Sequence, residues 1–185
     1  MNDKRDTILI VDDNKTNIGV LISTLKVHGF RTITALNGTM AIRRAEFSGP
    51  DLILLDVMMP EMDGFETCCR LKADDKTREI PVIFMTALSD VKDKLRGFEV
   101  GGVDYVTKPF EETEVLARVK THLTLRNTQK QLRKEIAERR QAETTLRESE
   151  ERFRTIFENA PVMINSFDTA GRCLLWNHQC EETLG

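Results

Sequence analysis

The sequence lacks any apolar run long enough to span a membrane, since its longest apolar stretches are only as long as a β-strand. The N-terminal segment, MNDKRDTILIVDD, is not a secretory signal because two aspartates end its short apolar run. The chain also lacks an excess of positive charge: 27 Lys and Arg residues stand against 30 Asp and Glu residues. We therefore expect a cytoplasmic protein that has neither a membrane nor nucleic acid as a partner.

Patterns of cysteine and histidine that bind metals or form disulfide frameworks are missing as well. The four cysteines contain no Cys-x-x-Cys pair, and the three histidines are scattered without ligand spacing. We expect reduced structural thiols, and no catalytic partner for His122 is evident in its neighbourhood. These absences argue against metal binding through cysteine or histidine.

Glycine and proline are absent from residues 110 to 160, a stretch of 51 residues that would span roughly 75 Å as a helix. One interpretation is a solvated, charged linker helix. The other is a parallel two-stranded coiled coil, which would make the protein a homodimer through residues 125–157. A heptad supports the coiled coil, although charged residues such as Arg139 and Glu143 also fall on its seam. Its core positions are Leu125, Leu132, Ile136, Leu146, Phe153 and Phe157.

Residues 7 to 110 alternate between strand-length apolar runs and segments of helical period, among them a first helix with Asn14 as its N-cap. Five strands alternating with helices predict an α/β fold with a parallel sheet covered on both faces. Right-handed crossovers make this a doubly wound sheet. The predicted strands are residues 7–11, 31–35, 51–55, 81–86 and 103–107.

Five polar residues follow or close these strands: Asp12, Asp13, Asp56, Thr86 and Lys108. We expect them at one edge of the sheet, because the carboxyl ends of parallel strands lie together there. Three carboxylates would repel one another unless cations compensated them. The Lys108 ammonium is one such cation, and a hard divalent ion with oxygen ligands, Mg²⁺ (or Mn²⁺), is the other. Asp56 could then act as a nucleophile that forms an acyl phosphate.

The motifs around these residues resemble the receiver domain of two-component response regulators. They are VDD at 11–13, LLDVMMPEMDG at 54–64, FMTA at 84–87 and DYVTKPF at 104–110, and the resemblance covers residues 5–125. It implies a flavodoxin-like sheet with strand order 2-1-3-4-5. It also implies a phosphorylation-dependent switch rather than an enzyme, apart from self-phosphorylation and autodephosphorylation.

The resemblance implies that a sensor histidine kinase or a phosphotransfer protein phosphorylates Asp56. The apolar Met58 and Leu88 offer no obvious group to orient water, which favours slow autodephosphorylation. The implied metal site consists of Asp12, Asp13, Asp56 and the Met58 backbone carbonyl, with Asp13 a direct Mg²⁺ ligand and Asp12 acting largely through water. The other implied roles are switching and phosphoryl binding by Thr86, Tyr105 and Lys108, and a cis bond before Pro109. In the switch, the Thr86 hydroxyl would move toward the phosphoryl group and the Tyr105 ring would turn inward behind it.

After a helical linker over residues 126–152, residues 153–185 resemble the start of a PAS sensor domain. Pro161 ends the helix, and two short strands and a further helix are predicted to follow it. We expect only the first part of such a domain to be present and to be poorly packed, because two strands cannot close a core. No PAS cofactor can be assigned.

Two other functions on this fold fit less well. Phosphatases of the haloacid-dehalogenase type also form an aspartyl phosphate, but their nucleophile follows the first strand in an Asp-x-Asp pattern, where this chain has Asp12-Asp13-Asn14. A flavodoxin-like FMN binder would have a phosphate-binding loop there instead of two acids. A third possibility concerns a longer protein, in which the receiver would regulate a histidine kinase or a diguanylate cyclase.

Overall fold

A computed structural model describes residues 5–87, 91–109, 111–162 and 164–184 of the chain. The chain divides into two compact units, residues 1–129 and 130–185. No helix in the described ranges is long and apolar enough to cross a membrane. In chain order the elements are β1 (Thr7–Val11), α1 (Lys15–Val27), β2 (Arg31–Ala35), α2 (Gly38–Ser48), β3 (Leu52–Asp56), α3 (Gly64–Ala73), β4 (Val82–Thr86), α4 (Val91–Glu99), β5 (Asp104–Thr107), α5 (Glu112–Glu158), β6 (Asn165–Phe167), β7 (Cys173–Trp176) and α6 (His178–Leu184).

The first unit contains a five-stranded sheet in the order β2-β1-β3-β4-β5. Every neighbouring pair of strands is parallel. The doubly wound sheet and its strand order are therefore confirmed, and each predicted strand lies within one residue of an observed one. Strands β3 and β4 are buried at every position, which explains why their sequences are unbroken apolar runs rather than alternating ones.

Alternate residues of the central strands build two apolar layers, one on each face of the sheet. Leu9 and Val11 of β1 pack in the layer that contains Ala41 of α2 and residues of α3. Ile8 of β1 packs in the opposite layer, together with Leu21 of α1 and residues of α5. Each buried leucine or isoleucine contributes about 1.5–3 kcal/mol, so the two layers hold the sheet edge in a fixed geometry.

The first three helices start at polar caps. The Asn14 side chain accepts a hydrogen bond from the Thr16 amide at 2.9 Å, as predicted, and Asn37 and Asp63 cap α2 and α3. The helical spacing of apolar residues does not determine how far each side chain is buried. Phe47 lies on α2, but its side chain is 95% exposed.

In the second unit, β6 and β7 form an antiparallel hairpin that α6 follows, in agreement with the predicted strand, turn, strand and helix. The buried Asn177 side chain ties the hairpin to the end of α5: its amide donates to the carbonyls of Phe157 and Val162, at 3.1 and 2.9 Å. It also accepts from the Ile164 amide at 2.9 Å. The domain boundaries at residues 125 and 152, and the PAS assignment, stay predictions.

Candidate acidic metal site

The carboxyl edge of the sheet gathers three carboxylates. Asp12 follows β1, Asp13 comes next, and Asp56 is the last residue of the neighbouring strand β3. One ligand oxygen of each lies within 4.8 Å of those of the other two. Asp12 and Asp56 are buried, whereas Asp13 is exposed. An oxygen-only set of this size, open on one side, suits Mg²⁺, which keeps several waters and takes one or two carboxylates.

Lys108 supplies the fixed positive charge of this edge. Its Nζ lies 2.8 Å from Asp12 Oδ2 and 2.8 Å from Asp56 Oδ2. Burial acts to lower the pKa of Lys108, but its hydrogen bonds to the two carboxylates outweigh that effect and raise it. The peptide bond between Lys108 and Pro109 is cis. Lys108 therefore stays charged and bridges the ends of β1 and β3.

The fold opposes the ionisation of Asp56. Burial raises its pKa above the ordinary value of 3.8, and repulsion from Asp12 adds to this. The Lys108 ammonium and the Met58 backbone amide, which donates to Asp56 Oδ1 at 3.3 Å, only partly offset the rise. A second cation at this site would stabilise the ionised form, in which Asp56 is nucleophilic.

The loop after β3 is held close to Asp56 by its backbone. The Val57 amide donates to the Met85 carbonyl at 3.1 Å, and the Gly64 amide donates to the Val57 carbonyl at 2.9 Å. A side chain at Gly64 would place its Cβ 2.3 Å from the Asp56 carbonyl oxygen, so only glycine fits there. The loop carries Met58, whose side chain is exposed, and ligation by its carbonyl stays a prediction.

Thr86 and Tyr105, the two proposed switch residues, line one small cavity together with Phe84 and Phe98. Thr86 is buried at the end of β4. The Tyr105 ring meets Phe98 edge to face, with the ring centroids 6.3 Å apart. The Tyr105 ring and the Thr86 side chain therefore border the same space. Leu88, beside the predicted acceptor site, and Phe110, the last residue of the fourth motif, lie outside the described residues.

A polar cluster that the sequence did not reveal lies beside Tyr105. Asp104 binds Arg118 Nη1 at 2.8 Å and His122 Nε2 at 3.0 Å. Burial raises the pKa of Asp104, but its hydrogen bonds from His122, the Tyr105 amide and Arg118 outweigh this and lower it. His122 thus has a partner 18 residues away in sequence, which no local motif could indicate.

Asn17, on the first turn of α1, is a further polar residue whose contact no sequence motif indicated. Its side-chain amide donates to both oxygens of Asp12, at 3.2 and 3.0 Å. One feature of the sequence could have indicated this contact. Asn17 is a polar residue four positions after Asp13, in the first turn of a helix, and its neighbour Ile18 is buried in the core.

Comparison with known proteins agrees with this geometry. The family model for the response regulator receiver domain matches residues 8–120. The chain is 42% identical over 116 residues to the DNA-binding dual master transcriptional regulator RpaA of Synechocystis sp., covering 63% of this chain and 48% of RpaA. It is 44% identical over 114 residues to the response regulator PleD of Caulobacter vibrioides, covering 62% of this chain and 25% of PleD. The chain thus spans half or less of these relatives.

A solved structure resembles the first unit in both fold and sequence. The receiver domain of the sensor histidine kinase PA1611 from Pseudomonas aeruginosa, described with a magnesium ion coordinated in its active-site cleft, superposes with a TM-score of 0.61 at 30% identity. The match covers 65% of this chain and 98% of that domain. The chain belongs to the response regulator receiver domain family, and its first unit is a receiver domain of a two-component system.

Proposed function

We propose that the chain is a phosphorylation-dependent switch in a two-component phosphorelay and that Asp56 is its phosphoryl acceptor. The observation that carries this proposal is the placement of Asp56: a buried carboxylate at a strand end, within 4.8 Å of two further acids and 2.8 Å from a lysine. Phosphoryl transfer requires little covalent chemistry from a protein and depends on positioning and charge stabilisation. This edge offers both.

The reaction would use a phosphohistidine of a sensor histidine kinase or phosphotransfer protein as the donor. An Asp56 carboxylate oxygen attacks phosphorus and forms the acyl P–O bond while the P–N bond breaks. The bond electrons return to the imidazole nitrogen, which ends with a proton, and no oxidation or reduction takes place. The similarity to a receiver from a sensor histidine kinase supports this donor class.

The residues around Asp56 divide the remaining work. Bound Mg²⁺ would supply charge neutralisation for the incoming phosphoryl oxygens, with Asp12, Asp13, Asp56 and the Met58 carbonyl to hold it. Lys108, now shared between Asp12 and Asp56, would bind another phosphoryl oxygen. The Thr86 hydroxyl would donate to the phosphoryl group, and Tyr105 would turn into the cavity that it lines with Thr86.

Intact mass spectrometry after incubation with acetyl phosphate tests the acceptor chemistry. We expect the wild-type chain to gain one phosphoryl group in the presence of Mg²⁺ and none when EDTA removes the metal. The control is the same incubation with Mg²⁺ but without acetyl phosphate. A folded chain that binds Mg²⁺ yet gains no mass, from acetyl phosphate or from a phosphorylated histidine kinase, would contradict the proposal.

The signal would pass along α5 by a change in dimer packing or register. Several large apolar side chains of this helix are exposed, which suits a helix that pairs with a second copy of itself. Phosphorylation acts at a distance only if it biases such a two-state element. These exposed residues include Leu125, Leu132, Ile136, Leu146 and Phe153, with exposed fractions between 44% and 60%.

The substitution Leu132→Glu is expected to weaken dimerisation at least about tenfold, because the loss of one buried leucine per chain exceeds 1.4 kcal/mol. Sedimentation equilibrium of the full chain measures the dissociation constant. Gln141→Glu is the matched control, since it adds the same charge to an exposed position off the proposed seam. A wild-type chain that stays monomeric at high concentration would favour the solvated linker helix instead.

The identity of the output domain that this receiver would regulate is a proposal about a longer protein. A PAS domain from residue 153, followed by further output domains, is the preferred arrangement, and a receiver within a hybrid histidine kinase or a diguanylate cyclase is the alternative. Likeness to a receiver from a sensor histidine kinase is compatible with that alternative. An aspartyl-phosphate phosphatase stays disfavoured, because the central acid follows β3 and not β1. Beyond self-phosphorylation and autodephosphorylation, we propose no enzymatic activity for this chain.

The remaining predictions concern surroundings and partners. A cytoplasmic location, the absence of nucleic acid as a partner, and use of Mn²⁺ in place of Mg²⁺ stay predictions from the sequence. The DNA-binding description belongs to RpaA, which is about twice as long as the segment that matches.

A further inference from the structure

The Asp12 carboxylate is held from three sides by this chain. It is completely buried. Oδ1 accepts from the Asn14 backbone amide at 2.8 Å, and Oδ2 accepts from Lys108 Nζ at 2.8 Å. The Asn17 side-chain amide reaches both oxygens, at 3.2 and 3.0 Å. Of these three donors, Asn17 is the one that contacts the whole carboxylate and so sets its plane.

The chemistry of the Asn17–Asp12 contact determines which atom of the Asn17 side-chain amide points at the carboxylate. An ionised carboxylate only accepts hydrogen bonds, so the amide nitrogen of Asn17 and not its oxygen points at Asp12. The amide also brings no net charge. An acidic residue at this position would add another negative charge to the cluster, whereas a basic residue would compete with a bound cation. A neutral donor orients Asp12 without changing the charge of the site.

The position of Asn17 makes this orientation rigid. Residue 17 lies on α1, whose start is fixed by the Asn14 cap and whose neighbouring residue Ile18 is buried in the core. A donor on a packed helix holds a ligand more firmly than a donor on a loop. Of the three donors to Asp12, the Asn14 donor is a backbone amide. Without Asn17, the remaining side-chain donor among these three would be Lys108, which also contacts Asp56.

We propose that Asn17 is a positioning residue of the metal site: it holds Asp12 in the orientation in which Asp12, Asp13 and Asp56 together bind the divalent cation. This inference rests on the proposed function, because it assigns Asp12 to the metal site. Outer partners that orient metal ligands typically account for 10- to 100-fold in metal affinity. Asn17 raises the affinity for Mg²⁺ and thereby lowers the Mg²⁺ concentration at which Asp56 accepts a phosphoryl group.

Isothermal titration with MgCl₂ alone tests this role on the full chain. The variant Asn17→Leu keeps a similar volume and removes the donor, and Asn17→Ala guards against a clash of the leucine. We expect both to bind Mg²⁺ about tenfold more weakly. With acetyl phosphate as donor, the Mg²⁺ concentration for half-maximal phosphorylation rises to the same extent, while the plateau rate stays close to that of the wild type. A loss of folding would lower the plateau instead.

Asn37→Ala is the matched control, because Asn37 caps α2 through the Met40 amide at 2.8 Å and lies outside the acidic cluster. It should lower the melting temperature and leave Mg²⁺ affinity unchanged. Unchanged or tighter Mg²⁺ binding in the Asn17 variants, or equal weakening in Asn37→Ala, would overturn the inference alone. A wild-type chain that binds Mg²⁺ but gains no phosphoryl group from any donor would overturn the proposed function alone. A wild-type chain that binds no Mg²⁺ would overturn both.

Discussion

Asp56→Asn is expected to abolish the phosphoryl gain from acetyl phosphate and Mg²⁺, leaving a mass spectrum like that of the wild-type chain in EDTA. An amide of the same shape cannot act as the nucleophile that a carboxylate provides. Asp75→Asn makes the same chemical change at an exposed residue that pairs with Arg78, and it should leave the gain intact. Continued phosphorylation of Asp56→Asn, mapped to another acid, would show that the acceptor has been misassigned.

The same substitution is expected to raise the thermal stability of the metal-free protein. The pKa of Asp56 is higher in the folded state than its value of 3.8 in the unfolded state. At pH values between these two pKa values the folded state binds more protons than the unfolded state, so stability falls as the pH rises through that range. Ionised Asp56 therefore destabilises the fold at neutral pH, and asparagine removes this cost. Melting curves should differ most at pH 7 and converge below the unfolded pKa. A lower melting temperature for Asp56→Asn at pH 7 would contradict this account.

Lys108→Met is expected to destabilise the metal-free protein by about 3 kcal/mol at neutral pH, because it leaves two buried carboxylates without their shared cation. Urea unfolding at pH 7 measures this loss, and saturating Mg²⁺ should restore part of it, since a second cation then compensates the acids. Lys76→Met removes a lysine at an exposed position and should change stability by less than about 0.5 kcal/mol.

The pH dependence of that loss has a definite sign. The pKa of Lys108 is raised in the folded state, so its stabilising contribution is fully present below the unfolded value of 10.5 and disappears as pH rises through the folded pKa. The difference between wild type and Lys108→Met should therefore be large at pH 7 and shrink in strong alkali. A difference that grows with alkaline pH, or that Mg²⁺ leaves unchanged, would show that Lys108 acts through packing and not through charge.

Much of the first unit could be predicted from the sequence for a physical reason. A strand that is covered on both faces must be apolar throughout, so β3 and β4 appear as unbroken runs, and their ends are visible where the first polar residues occur. In a parallel sheet these ends lie on one edge, which places Asp12 and Asp56 on the same edge before any coordinates are known. The order of the strands came from the resemblance to receiver domains, since periodicity does not determine which strands are neighbours.

Sequence by itself therefore determined the strands, the cap of the first helix and the residues at the carboxyl edge, because each depends on local pattern or on the common end of parallel strands. Tertiary structure alone decided which of these residues touch. Lys108 reaches Asp12 across 96 positions, and His122 meets Asp104 across 18. Helical period does not show which side chains are covered, and Phe47 of α2 is 95% exposed. Such contacts depend on how separate elements pack, and packing is a property of the whole fold.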